Sequence, residues 1–458
     1  MTVRKLSPLV IALAAALPQL ASAQSAPDVA KELAALKARI AQLEEQVKNG
    51  QGMTPDQQAE FNRVTVKAEA LEDARDMSGM KLMKINGYMD PAFIWNKRQD
   101  RAGFQFLNKV EDDGYNYDNS YFGTVSLDFQ KETDSGTKWR LTLSPNRGVG
   151  SVFDGNSIVH EATVSIPLGD LQTRLIAGQM PDWSGYEYLQ PTLNKLITHN
   201  LLFDFTLPTA YTGAGMEITS GKWITKAMLA NMNASKKQPG NKAPVVTYRV
   251  DYAKGEFQGF GFAGVHGKAA NFTENVVDGV TGEVIGQKDS RLDLFEFDAY
   301  FIRGDWTLQG QISVGQQKDA SITPDPVTGA LRKAQWWGVS ALAAHKFDPR
   351  LEGIVRVDYL NNTKNGGGLL GYTASDDRNG IGPGWSDDGA GGWTQADPDK
   401  GVKRMALSLG MGWVMNMNTV VKAELRIDRA NAPVFIDAKS GSYSKTNQLL
   451  GTAVVVSF

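Results

Sequence analysis

From residue 81 to the C-terminus, apolar and polar positions alternate with a period of two, and this rhythm predicts β-strands with unlike faces. In KLMKINGYMDPAFIWN, Met83, Ile85, Met89, Phe93 and Trp95 share one face, while Lys84, Asn86, Tyr88, Asp90 and Asn96 share the other. Val421, Ala423, Leu425 and Ile427 alternate in the same way with Lys422, Glu424, Arg426 and Asp428. The final strand counts back in twos from Phe458 through Val456, Val454, Thr452 and Leu450. A charged face alone would suit a soluble sandwich as well as a membrane barrel. The punctuation favours the barrel.

Short turns fall at Thr133–Gly136, Pro167–Asp170, Ser220–Lys222, Ala253–Glu256, Arg303–Asp305, Phe347–Arg350 and Asn416–Asn418. Longer polar connections alternate with them near residues 97–119, 145–157, 180–210, 231–243, 267–290, 317–333, 361–401 and 429–446. This division predicts an all-β transmembrane barrel over 81–458, of about sixteen antiparallel strands, with both ends on the short-turn side. Fourteen or eighteen strands also fit, because boundaries read from sequence shift by a few residues. Trp223, Trp306, Trp413 and Phe458 near the turns, and Trp95, Tyr121 and Trp337 near the loops, suit two aromatic girdles.

Upstream the period changes. Residues 1–23 read as a cleaved export signal: Arg4 and Lys5, an apolar stretch from Pro8 to Leu20, and Ala21-Ser22-Ala23. The apolar stretch is shorter than the ~20 residues a membrane-spanning helix needs. Over 24–50, Val29, Leu33, Leu36, Ile40, Leu43 and Val47 form a heptad seam, which predicts a coiled coil joining the chains of a trimer, or an amphipathic helix packed on the protein's own surface. Glu32 with Lys37, and Arg39 with Glu44, are spaced for pairing between parallel chains. A second helix or linker is predicted over 51–80, capped at Thr54 with proline at its first turn, with Phe61, Val64, Ala68 and Leu71 on seam spacing.

Composition removes several classes of chemistry. There is no cysteine, so disulfides and thiolate sites are excluded, and the net charge of −2 gives no electrostatic footprint for nucleic acid. His160, His199, His266 and His345 lack metal-ligand spacing, and no G-x-S-x-G or phosphate-cradling loop is present. The reading therefore includes no metal, cofactor or catalytic site, and no enzyme. Arg303-Gly304-Asp305 falls at a short turn, where turn chemistry accounts for it.

On the strand pattern, the terminal Phe458 and the first strand MKINGYMDPAFIWN, the chain resembles the trimeric sixteen-stranded outer-membrane porins. Its leading seam is similar to that of sugar-type and porin-like families. The resemblance implies outer-membrane lipid around the barrel, a homotrimer, periplasmic helices that can contact peptidoglycan, and Phe458 as a signal to the barrel assembly machinery. It also implies that the third long loop, MPDWSGYEYLQPTLNKLITHNLLFDFTLPTA, folds into the lumen and narrows it. Asp182, Glu187 and Asp204 would then line the constriction, with Lys195 and His199 opposing them. Inward parity adds Arg140, Arg174, Arg249, Arg356, Arg404, Lys422 and Arg426 to the candidate pore-lining residues. Acidic residues share those faces, so the charges either set a field across the pore or only solvate the wall; the sign of ion selectivity stays open.

Passive diffusion of small hydrophilic solutes or ions is the function this reading favours. A substrate-selective channel gated by an N-terminal helical plug, or a tether between outer membrane and cell wall, are the alternatives.

Overall fold

A computed structural model describes residues 34–42, 55–77, 79, 81–106, 123–145, 157–253, 257–321, 325, 327–364, 380–397 and 400–458. The expected export signal and the seam positions Leu33, Leu43 and Val47 lie outside these residues, as does Tyr121. The chain divides into two compact units, Met1–Met83 and Lys84–Phe458.

The first unit is helical. Residues 34–42 form one described helix and Pro55–Met77 the other. Proline at the first helical position is where its missing N–H costs nothing, because that donor has no intrahelical partner. On the longer helix Val64 and Ala68 are buried while their neighbours at Arg63, Val66 and Lys67 are exposed, so the inner face follows the predicted spacing. Leu36 and Ile40 are the half-buried positions of the shorter helix. Lys37 pairs with Glu72 at 2.5 Å and Arg39 with Glu60 at 3.3 Å, both between the two described helices; Glu32 and Glu44 lie outside the described residues.

The second unit is an antiparallel barrel. β1 (Met83–Met89) and β2 (Ala92–Asn96) make one stave, and β3 (Arg101–Gln105) and β4 (Val125–Glu132) the next. β5 (Lys138–Leu143), β6 (Val159–Leu168), β7 (Asp170–Pro181), β8 (Ala210–Ser220), β9 (Trp223–Met232) and β10 (Val245–Ala253) follow. Next come β11 (Gln258–Val277), β12 (Val284–Arg303), β13 (Trp306–Gln317), β14 (Ala334–Lys346) and β15 (Leu351–Lys364). Two small hairpins, β16 (Trp385–Asp387) with β17 (Trp393–Gln395) and β20 (Phe435–Ile436) with β21 (Tyr443–Ser444), decorate the last two long loops. β18 (Lys403–Asn416), β19 (Thr419–Ala430) and β22 (Thr446–Ser457) complete the wall. β22 pairs with β19 on one side and with β1 and β2 on the other, so the eighteen segments of the main sheet close into sixteen staves. Closure leaves no unpaired sheet edge.

Burial is inverted relative to a soluble protein. Lys422, Glu424, Arg426 and Asp428 on β19 are buried, while Leu425 and Ile427 between them are exposed. Phe295, Phe297, Leu308, Ile312, Val355, Val357, Leu407 and Leu409 extend the same outward apolar band. Trp223, Trp306, Trp413 and Phe458 are exposed at the short-turn end and Trp337 toward the loop end. Strands that present apolar side chains outward and charge inward suit lipid outside and a polar interior.

Two of the predicted loops differ. The sequence pattern predicts one long connection near residues 97–119. Instead β2 turns directly into β3 within 97–100, and β4, which begins at Val125, pairs with β1. Gly123 has φ +64 and packs on the Gln105 backbone, where an added Cβ would lie 2.3 Å from a carbonyl oxygen. The sequence pattern predicts a loop near 267–290, yet β11 and β12 run twenty residues each and turn only at 278–283. There the ladder continues through pairs such as Asn275 with Gln287. Beyond the apolar band both faces meet water, so the strand needs backbone pairing but no hydrophobic period.

Candidate functional site

The connection between β7 and β8, residues 182–209, is the third long loop; most of its partners lie on inward faces of the wall from β13 to β22, and Arg249 on β10 donates to its Trp183 carbonyl at 2.8 Å. Its apolar side chains drive the docking. Leu201, Leu202 and Phe205 are buried with Leu360, Ile381 and Ala406, while Tyr186 and Leu196 pack with Leu342, Ala344 and Ile354. Wall glycines make room for them. A Cβ on Gly410 would lie 2.2 Å from Leu196 Cδ2, one on Gly338 2.9 Å from Leu202 Cδ1, and one on Gly451 3.3 Å from Ile197 Cδ1.

Loop backbone carried away from water needs new partners, and the wall supplies them. Arg356 is wholly buried; it donates to Glu187 Oε1 at 2.8 Å, to the carbonyls of Thr198 at 2.7 Å and His199 at 2.9 Å, and to Asp358 at 3.1 Å. Arg426 donates to the same His199 carbonyl at 2.7 Å and to Thr198 Oγ1 at 3.1 Å. Glu424 accepts from the backbone N–H groups of Ile197 and Thr198, both at 2.8 Å. Lys422 donates to the carbonyls of Pro191 and Asn194, and Lys195 pairs with Glu352 at 2.7 Å. Tyr186 shares a 2.6 Å hydrogen bond with Ser340.

Within the loop, Asn200 caps the short helix Leu201–Phe205 by accepting from Leu202 and Phe203 N–H, and its own N–H donates to Glu187 Oε2 at 2.6 Å. Glu187 therefore ties Arg356 to that cap. His199 stacks on Phe203 with ring centres 4.1 Å apart, and its Nε2 donates to the Tyr188 carbonyl at 2.8 Å. Burial pushes its imidazole down to about 3, so it is neutral near pH 7, and its buried Nδ1 has no partner among the described residues. Asp204 is buried on the short helix.

The candidate residues separate into groups by position. Glu187, Lys195, His199 and Asp204 on the loop, and Arg356, Lys422 and Arg426 on the wall, belong to the docking contact or its buried surroundings. Arg404 sits under the loop, 5.4 Å from the Phe205 ring centre and 5.2 Å from that of Phe435, and is bonded to Asp428 at 2.7 Å. Arg174 braces the short-turn end by donating to Ser165 Oγ and the Gly136 carbonyl, both at 2.7 Å. Arg140, Arg249 and Asp182 remain beside open space: a cavity of about 840 Å³ bounded by loop residues on one side and by wall residues from both ends of the chain on the other.

Sequence reasoning did not single out the glycine dimples, the Glu424 clamp or Tyr186. Its available signal was glycine at inward parity in otherwise regular strands, which marks close approach of another segment.

A family model matches residues 51–458. The chain belongs to DUF3138, a family described as proteins of unknown function. No curated protein matches the sequence. Among solved structures, the chain is similar to in-vitro folded OmpT, an outer membrane protein of Vibrio cholerae, at 9% identity and TM-score 0.49, covering 82% of this chain and 97% of that one. An anion-selective porin from Comamonas acidovorans is similar at 9% identity and TM-score 0.47, over 82% and 99% of the two chains. OmpF of Salmonella typhi, solved with daunomycin, is similar at 13% identity and TM-score 0.47, over 82% and 97%.

Proposed function

We propose that this DUF3138 protein is an outer-membrane channel through which small hydrophilic solutes and ions diffuse passively, constricted by the loop 182–209. The observation that carries the reading is the lumen itself: a loop fastened to one side leaves a cavity of about 840 Å³ on the other, lined by charged and tyrosyl side chains. Such a surface keeps water in place and offers hydrogen bonds to a passing solute at many weak sites, which is what conduction requires. Asp182, at the start of the loop, and Arg140 and Arg249, on the wall, are the predicted site residues that face this path. Glu187, Lys195, His199, Asp204, Arg356, Arg404, Lys422 and Arg426 act by holding the constriction in place.

In the same proposal the barrel is a homotrimer in outer-membrane lipid, the helices of 24–80 lie in the periplasm, and Phe458 serves barrel assembly. Purified protein in a planar bilayer should give stepwise conductance in groups of three, and deletion of residues 24–80 should leave conductance intact. Silent membranes at verified incorporation would refute the channel.

A further inference from the structure

Glu187 on loop 182–209 is bound to Arg356, and the loop presents Asp182, Tyr188, Gln190, Thr192 and Leu193 to the cavity, so one carboxylate is its charged contribution there. That carboxylate has the same sign as the excess on the wall, where the other charges facing the cavity sit in uneven stoichiometry.

Arg140 on β5 is shared by two carboxylates, Asp128 on β4 at 2.8 Å and Glu161 on β6 at 3.1 Å. Arg249 on β10 is likewise shared by Asp251 on its own strand and Asp298 on β12, both at 2.8 Å. Glu296, wholly buried, stands 3.9 Å behind Arg249 and is not among the residues lining the cavity. Lys226 on β9 is matched by Glu217 on β8 at 3.2 Å. Each arginine thus neutralises one carboxylate and leaves one uncompensated, whereas Lys226 and Glu217 cancel. Arg140 and Asp251 are the more exposed members of their clusters, 38% and 30%, so both clusters reach the water of the cavity.

We infer that the channel prefers cations, and that the two carboxylate–arginine–carboxylate clusters at Asp128–Arg140–Glu161 and Asp251–Arg249–Asp298 set this preference. Low-dielectric walls focus the field of such unbalanced clusters. A potential of about one kT at the narrow stretch favours a monovalent cation over an anion by roughly sevenfold, and fixed charges on protein surfaces produce potentials of this order. This inference rests on the channel reading above and names the solute class of the same lumen.

The test is the reversal potential of the full chain in a planar bilayer under a KCl gradient near 0.1 M, where the Debye length is about 10 Å, repeated near 1 M where it falls to about 3 Å. Expected are a several-fold permeability of K+ over Cl− at the lower salt and a smaller ratio at the higher. The pair Asp128→Asn with Asp298→Asn should move the ratio toward one, and Arg140→Gln alone should raise it. Glu161→Gln with Asp251→Asn repeats the neutralisation on the other carboxylates, and gel mobility before and after heating verifies a folded barrel for each variant. Conductance with no ion preference, or with preference for Cl−, overturns the inference and leaves the channel standing. A cation preference moved by neither neutralised pair overturns the assignment to these clusters. Absence of conductance overturns the channel and this inference together.

Discussion

Arg356→Met is the sharpest test of how the constriction is held. The substitution keeps a long apolar stem of similar reach and removes a guanidinium that has no exposed surface and bonds two carboxylates and two loop carbonyls. Left behind are Glu187 and Asp358, both buried, and the carbonyl of Thr198; the His199 carbonyl keeps Arg426. Removing one partner of a buried ion pair costs about 3–5 kcal/mol, because the other charge stays desolvated and uncompensated. Losing the carbonyl bonds falls within that range rather than adding to it, since a loop that swings out rehydrates them together. At 1.4 kcal/mol per factor of ten, the docked-to-released equilibrium of the loop should fall by roughly two to three and a half powers of ten. The barrel ladder does not depend on Arg356 side-chain bonds, so the strands should stay paired. Single-channel recording is the assay: the variant should show a larger, noisier conductance, and proteolysis should cut within 182–209 while sparing the wall. Arg356→Lys, which keeps one positive charge but not the planar fork, should fall between the two. Wild-type conductance with a protected loop in Arg356→Met would refute the reasoning, and would mean that the apolar contacts of Leu201, Leu202 and Phe205 fasten the loop alone.

The dimple at Gly338 gives a steric counterpart. Gly338→Val should clash with Leu202 and with the Tyr359 carbonyl, 2.7 Å from the added Cβ, and overpacking of this kind costs about 1–3 kcal/mol; a thermal transition equal to wild type would count against close packing there. His199 supplies a pH test. Its folded value lies below the ordinary one, so its contribution to stability is full above about 6.5 and is lost as pH falls toward 3, at about 1.4 kcal/mol per pH unit. Comparison with His199→Gln isolates this effect from the loop carboxyls: the stability of wild type relative to the variant should be lower at pH 5 than at pH 7.5, and a constant difference would refute a buried neutral imidazole. For the helical unit, Lys37→Cys with Glu72→Cys and a short thiol crosslinker should give a product of single-chain mass, as expected when the pair forms within one chain; a ladder of dimers and trimers would place the pairing between chains.

Much of the wall was legible in the chain because a strand in a barrel is a local object. Its two faces meet fixed, opposite environments, so Leu425 and Ile427 alternate with Glu424, Arg426 and Asp428 whatever the rest of the protein does. Turn residues mark where each hairpin reverses, and the seven short turns together with the terminal Phe458 imply sixteen staves closing on themselves. The signal fails where its physical cause is absent. Residues 268–277 and 284–290 lie beyond the apolar band and lose the period, yet backbone pairing carries the strands through them. The apolar content of 182–209 announced that this loop must be covered, since Leu201 and Phe205 gain nothing from water. What covers it is a tertiary matter. Parity places Arg140, Arg249, Arg356 and Arg426 on the same inner face and treats them alike. The folded chain separates them: partners from 157 to 228 residues away bury Arg356 and Arg426 under the loop, while Arg140 and Arg249, the latter also donating to the Trp183 carbonyl, line the open cavity, each outnumbered by carboxylates. Alternation along a strand reports only which way a side chain points, whereas its charge balance and its access to water depend on which distant segment comes to rest against it.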